Sequence, residues 1–154
     1  MQYTIELIKK FFENMEWSYN FEDGDTFGLE LEAKSAIGLI QYAVVVKETE
    51  FVAYAFIPNK PEPEMLPRVA EFLLRANIFI PYCSFHLDYN EREISVRSWV
   101  DFELCKLSYA VVERALTTPL LMIDAFGKSL LRAMYSNDDI EQLIMEADNS
   151  FWND

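Results

Sequence analysis

The segment Ile37–Pro58, IGLIQYAVVVKETEFVAYAFIP, limits what this chain can fold into more than any other. Two runs of β-branched and aromatic residues flank a polar centre at Glu48-Thr49, the pattern of two strands folded back on one another. With a loop of two or four residues, Val46 pairs with Phe51, Val44 with Ala53, Tyr42 with Ala55 and Ile40 with Ile57, and these line one strongly apolar face. Strand side chains alternate between the two sides, so the other face carries Leu39, Gln41, Ala43, Val45, Val52, Tyr54 and Phe56. An antiparallel sheet can leave one face in water, but normally a polar one. This second face is too apolar for that, and the expectation is that another element or a partner covers it.

The rest of the chain supplies helices and further strands around this hairpin. TIELIKKFFENM places Ile5, Ile8, Phe12 and Met15 at helical spacing with Thr4 as a cap. WSYNFEDGDTFGLELEAK reads as strand, turn and strand. Asp23-Gly24 is a hairpin-turn signal, and Phe27, Leu29, Leu31 and Ala33 alternate with Gly28, Glu30, Glu32 and Lys34. Glu22, Asp23 and Asp25 lack the carboxylate ladder of a calcium loop. After a proline-punctuated loop, MLPRVAEFLLRAN predicts a helix with Val69, Phe72 and Leu73 on one side and Asn77 as a left-handed stop. A second hairpin follows, roughly Tyr82–Tyr89 and Glu93–Val100. Helical spacing resumes near Leu104 with Leu107, Val111 and Ala115. Pro119 predicts a break, Gly127 a weak point, and Asn137 the cap of a final helix. The fold class expected is α+β, an antiparallel sheet with flanking helices in the order α-β-β-β-β-α-β-β-α-α, forming one domain over residues 1–154. The terminal Phe151 and Trp152 can dock on the body, contact a second subunit or fray.

Charge narrows the partners. The net charge of −13 and the absence of a basic cluster longer than Lys9-Lys10 argue against nucleic acid and against anionic membrane surfaces. No run approaches a spanning helix, and the N-terminus does not read as a signal peptide, so the expected location is the cytoplasm, with Cys83 and Cys105 reduced. These two cysteines lack metal spacing, and a single histidine leaves a Cys/His zinc site short of ligands; no metal or cofactor is expected.

That histidine lies in FHLDYNEREISVRSWVDFE. Pairing Tyr89 with Ile94, Leu87 with Val96 and Phe85 with Ser98 puts the apolar residues on the core side. The outer side then pairs Asp88 with Ser95, His86 with Arg97 and Ser84 with Trp99. An enzyme would use His86 as a base oriented by Asp88, but strand residues two apart stand roughly 6.6 Å apart along it, and no nucleophile or oxyanion motif accompanies them. A polar face with cross-strand partners is the plainer reading, and Arg97 with Trp99 also suits a binding surface.

Through FLLRANIFIPYCSFHLDYNEREISVRSWV the chain resembles the YbjN family, a bacterial group described as candidate sensory transduction regulators. The resemblance rests on Ala76-Asn77 at a helix end, then Phe85, Leu87, Asp88, Tyr89, Glu93 and Ile94, and on the acidic closing segment YSNDDIEQLIMEAD, and it spans about residues 3–147. Ser84 stands where the family often has glycine, and a proline common in its third helix region is missing around Phe126-Gly127-Lys128. The resemblance implies a fold like that of type III secretion chaperones, which are small acidic proteins, often dimeric and without catalytic activity, that hold extended partner segments. It transfers no catalytic residue.

The functional expectation is a non-enzymatic protein-binding module, chaperone-like or regulatory, with a protein partner or a second copy on the face formed by Leu39, Val45, Val52, Tyr54, Phe56, His86, Arg97 and Trp99. The alternative is a small-ligand sensor or enzyme using His86, Asp88 and Arg97.

Overall fold

A computed structural model describes residues 1–153, with side chains described through Ala147; Phe151 and Trp152 lie outside the described side chains. The elements are α1 (Gln2–Asn14), β1 (Asn20–Glu22), β2 (Thr26–Glu32), β3 (Leu39–Val46), β4 (Glu50–Ile57), α2 (Leu66–Ala76), β5 (Ser84–Asp88), β6 (Glu93–Asp101), α3 (Tyr109–Tyr135) and α4 (Ile140–Asn153). This is the order expected from periodicity. The strands form one antiparallel sheet in the order β1-β2-β3-β4-β6-β5.

The central hairpin takes the expected register, with Val46 opposite Phe51, Val44 opposite Ala53 and Tyr42 opposite Ala55. Its core face joins Phe27 and Leu29 of β2, Ile94 and Val96 of β6 and Phe85 of β5 under the helices. Phe12 of α1 meets Phe27 edge-on at 5.3 Å, and Phe126 of α3 meets Phe72 of α2 at 6.4 Å and Phe85 at 6.1 Å. All the helices thereby contribute to one core on one side of the sheet. At roughly 25 cal/mol per Å² of apolar surface, burial of these rings and aliphatic chains is the main force holding the layers together.

Local expectations fail where tertiary contacts outweigh them. Thr4 is buried inside α1 and Met1 holds the cap position. Asn77 keeps right-handed helical angles (φ −59°, ψ −24°). Its side chain instead bridges to β5: the Phe85 N–H donates to Asn77 Oδ1 at 2.7 Å and Asn77 Nδ2 donates to the Phe85 carbonyl at 3.2 Å. The third helix starts at Tyr109 rather than Leu104, because the Ser108 hydroxyl caps it by accepting the Val111 N–H. It then runs through Pro119 without the expected break. Proline removes one helical donor and crowds the preceding turn. Around it the Thr117 hydroxyl donates to the Glu113 carbonyl and the Thr118 hydroxyl to the Arg114 carbonyl, each at 2.6 Å.

Gly127 is a packing device rather than a weak point. A Cβ there would stand 2.6 Å from Ser35 Oγ and 2.8 Å from Ile37 Cγ1, so only glycine lets the β2–β3 connection rest on α3. Asp139, not Asn137, caps α4: its carboxylate accepts the Gln142 N–H and its carbonyl the Leu143 N–H. Arg132 ties α4 to α3 by ion pairs to Asp138 and Glu146. Among the described residues no helix is long and apolar enough to cross a membrane.

Candidate functional site

The face of the sheet away from the helices carries the residues singled out from sequence, and the pairing aligns them in rows. Thr26, Val45, Val52 and Trp99 form one row. Gly28, Ala43, Tyr54, Arg97 and Ser84 form the next, and Glu30, Gln41, Phe56, Ser95 and His86 the third. Leu39, half exposed and paired with Glu32, lies at the far corner. Of the two covers expected, another element or a partner, the first is not found among the described residues: the helices pack on the opposite side, and Val45, Val52, Tyr54 and Phe56 are shielded only in part.

The second hairpin has the predicted faces but not the predicted partners. Phe85 pairs with Val96, Leu87 with Ile94, His86 with Ser95, and Ser84 with Arg97, a slide of two residues from the expected register. Asp88 causes it. Its Oδ1 accepts the N–H groups of Asn90 and Glu91, which starts the turn at Tyr89, and Arg92 closes the turn at a positive φ of 54°. Tyr89 therefore leaves the core side and is exposed in the turn. A slide of two keeps every side chain on its face.

Interactions across the face are aromatic and cationic. The Tyr54 and Phe56 rings stack nearly parallel, with centroids 5.9 Å apart. The Arg97 guanidinium lies over Tyr54 at 5.2 Å, and its Nε donates to Ser95 Oγ at 3.3 Å. Trp99 is two-thirds exposed, and its indole N–H donates to Glu50, which also pairs with Lys47. Tyr54, Arg97, Trp99, Glu50 and Lys47 line an open groove of about 630 Å³ together with Val52, Tyr82, Cys83, Ser84 and His86. Ser84 was expected on this face, whereas Tyr82 and Cys83 were not assigned to it from sequence. Tyr82 adopts a positive φ of 67° and lays its ring 4.1 Å from the Arg114 guanidinium, a contact no local pattern signals.

The chemistry available there is modest. Ser84 Oγ and His86 Nε2 are hydrogen-bonded at 3.0 Å, a pair that the S-x-H spacing on one strand face foreshadows. Among the described residues His86 has no carboxylate orienting its other nitrogen, because Asp88 is committed to the turn. Partial desolvation first and the Arg97 charge second lower the imidazole from its ordinary 6.5. Burial pushes the Cys83 thiol up to about 12, away from the reactive thiolate. Among the described residues no three His, Cys, Asp or Glu side chains gather as a metal site.

No protein-family model matches this chain, and no curated protein does. Among solved structures, it is similar to the crystal structure of YbjN, a candidate transcription regulator from E. coli. The TM-score is 0.57 at 10% sequence identity, over 79% of this chain and 89% of that one. The fold is therefore YbjN-like, a likeness of architecture.

Proposed function

We propose that this chain is a non-enzymatic protein-binding module, chaperone-like or regulatory and a distant relative of the YbjN group, that takes a protein partner on the outer sheet face. One observation carries this reading. The helices all serve one side of the sheet, while Val45, Val52, Tyr54, Phe56 and Trp99 remain on the other side with Arg97 among them. Aromatic side chains beside an arginine are the composition of binding hot spots, and contiguous apolar surface of this kind is uncommon on a protein that works alone. The net charge of −13 favours a protein over a nucleic acid as the direct contact. The small-ligand or enzyme alternative at His86, Asp88 and Arg97 has less support, since Asp88 serves the turn.

Native mass spectrometry on the protein taken from its own cell reports subunit number and any co-purifying partner. Val52→Lys with Tyr54→Lys should remove that association while the chain keeps its cooperative melt. Normal association of the double variant means the outer face is the wrong surface.

A further inference from the structure

The ends of the sheet are finished differently. At the β5 end, Asn77 occupies the backbone groups of Phe85 that point away from β6. At the other end, β1 is only three residues long and pairs with Thr26, Phe27 and Gly28, leaving Leu29–Glu32 of β2 without a neighbour on that side. The phase of the β2–β3 ladder is set by two bonds, Val46 N–H to the Asp25 carbonyl and Ala33 N–H to the Gly38 carbonyl, both 2.8 Å. Antiparallel bonding alternates residue by residue. Phe27, Leu29 and Leu31 therefore bond to β3, whereas Thr26, Gly28, Glu30 and Glu32 turn their N–H and C=O groups outward. β1 meets the first two through Glu22 and Asn20. Among the described residues, the backbones of Glu30 and Glu32 meet no strand.

β1 does not extend to close this gap, and the residues before it are engaged in the core. Trp17 packs on Phe11 at 5.4 Å and on Tyr42 at 6.5 Å, and Tyr19 packs on Phe12 at 5.3 Å and Phe27 at 5.5 Å. The β1–β2 pairing ends at Asn20 and Gly28, and Ser18 does not pair with Glu30. A cleft of about 600 Å³ remains between Ser18–Asn20 and Gly28–Glu30, floored by Gln41, Ala43 and Phe56.

We propose that this open edge of β2 receives an extended segment of a partner protein, by strand addition, and that the segment alternates basic with apolar residues. Outward backbone groups at Glu30 and Glu32 provide the main-chain bonds. A strand added here sets every other side chain beside Glu30 and Glu32 on the outer face, where lysine or arginine complements them. The intervening side chains fall beside half-buried Leu31 and Tyr19, which suit apolar residues. The net charge of −13 draws such a segment in. A second copy of this chain is the wrong occupant, because a two-fold strand pair sets the acids of one copy against those of the other. This site adjoins the face assigned above but does not depend on that assignment.

The test uses the full chain and a capped hexapeptide of alternating lysine and valine, with a glutamate–valine hexapeptide as control. Binding is followed by titration, and hydrogen exchange at individual amides by NMR. The lysine peptide should bind and slow exchange at the Glu30 and Glu32 amides, and the glutamate peptide should do neither. Glu30→Pro removes an outward donor without touching the ladder to β3. It should weaken binding by about tenfold, as should Glu30→Lys with Glu32→Lys, the scale of one or two lost cross-strand interactions. The charge-reversed pair keeps the experiment decisive if the proline variant folds poorly. Absence of binding, binding without protection of these two amides, or unchanged affinity in the variants overturns the proposal. So does protection that grows with protein concentration in the absence of peptide, which would assign the edge to a second copy.

Discussion

The Tyr42 hydroxyl, in the middle of the sheet, donates a 2.7 Å hydrogen bond to the carbonyl of Leu116, three residues before the proline inside α3. Both residues are fully buried. Burial first and neighbouring Cys83 second raise the phenol well above its ordinary value, so it stays protonated and remains a donor. With the Thr117 and Thr118 hydroxyls, it satisfies carbonyls in the turn that Pro119 disturbs.

Tyr42→Phe should therefore destabilise the fold by about 1–3 kcal/mol, the usual range for leaving a buried polar group without its partner. The cost should shrink in a Pro119→Ala background, where removing the ring lets the Leu120 N–H close on the Leu116 carbonyl. A double-mutant cycle by urea denaturation reads this directly, and equal costs in the two backgrounds would separate Tyr42 from the proline.

The Asn77 bridge to Phe85 closes the β5 edge with a side chain in place of a strand. Asn77→Ala should cost about 1–3 kcal/mol and speed exchange of the Phe85 amide more than that of its neighbours in β6. Uniform acceleration across the sheet would mean the bridge does not act locally.

His86 should titrate below 6.5, since burial and then Arg97 both disfavour the imidazolium. The unfolded chain then binds the extra proton first, so stability falls as pH drops through about 6.5 and levels off below the folded midpoint. Arg97→Ala should raise the midpoint only part of the way, because burial is the larger cause. NMR of the ring protons decides it; a wild-type midpoint at or above 6.5 refutes the assignment.

Element order and face assignment were legible because they depend on local periodicity. Alternation in Ile40–Val46 and Phe51–Ile57 separates two faces whatever surrounds them, and the turn at Glu48-Thr49 leaves one register that keeps the apolar face whole. In the second hairpin the same alternation assigned His86, Arg97 and Trp99 to the outer face but could not choose between registers two residues apart. The Asp88 side chain chose, through hydrogen bonds to Asn90 and Glu91.

The sequence by itself determined a one-sheet α+β chain with a second sheet face too apolar for an ordinary wet surface. Tertiary structure alone decided that the helices leave this face uncovered, that α3 survives Pro119 and that Gly127 serves close packing. It also decided that half of β2 keeps an open edge. Periodicity records which way a side chain points, whereas each of these outcomes depends on which distant group arrives to meet it: a tyrosine hydroxyl at a helix carbonyl, a loop serine on a glycine, or no strand at all beside Glu30 and Glu32.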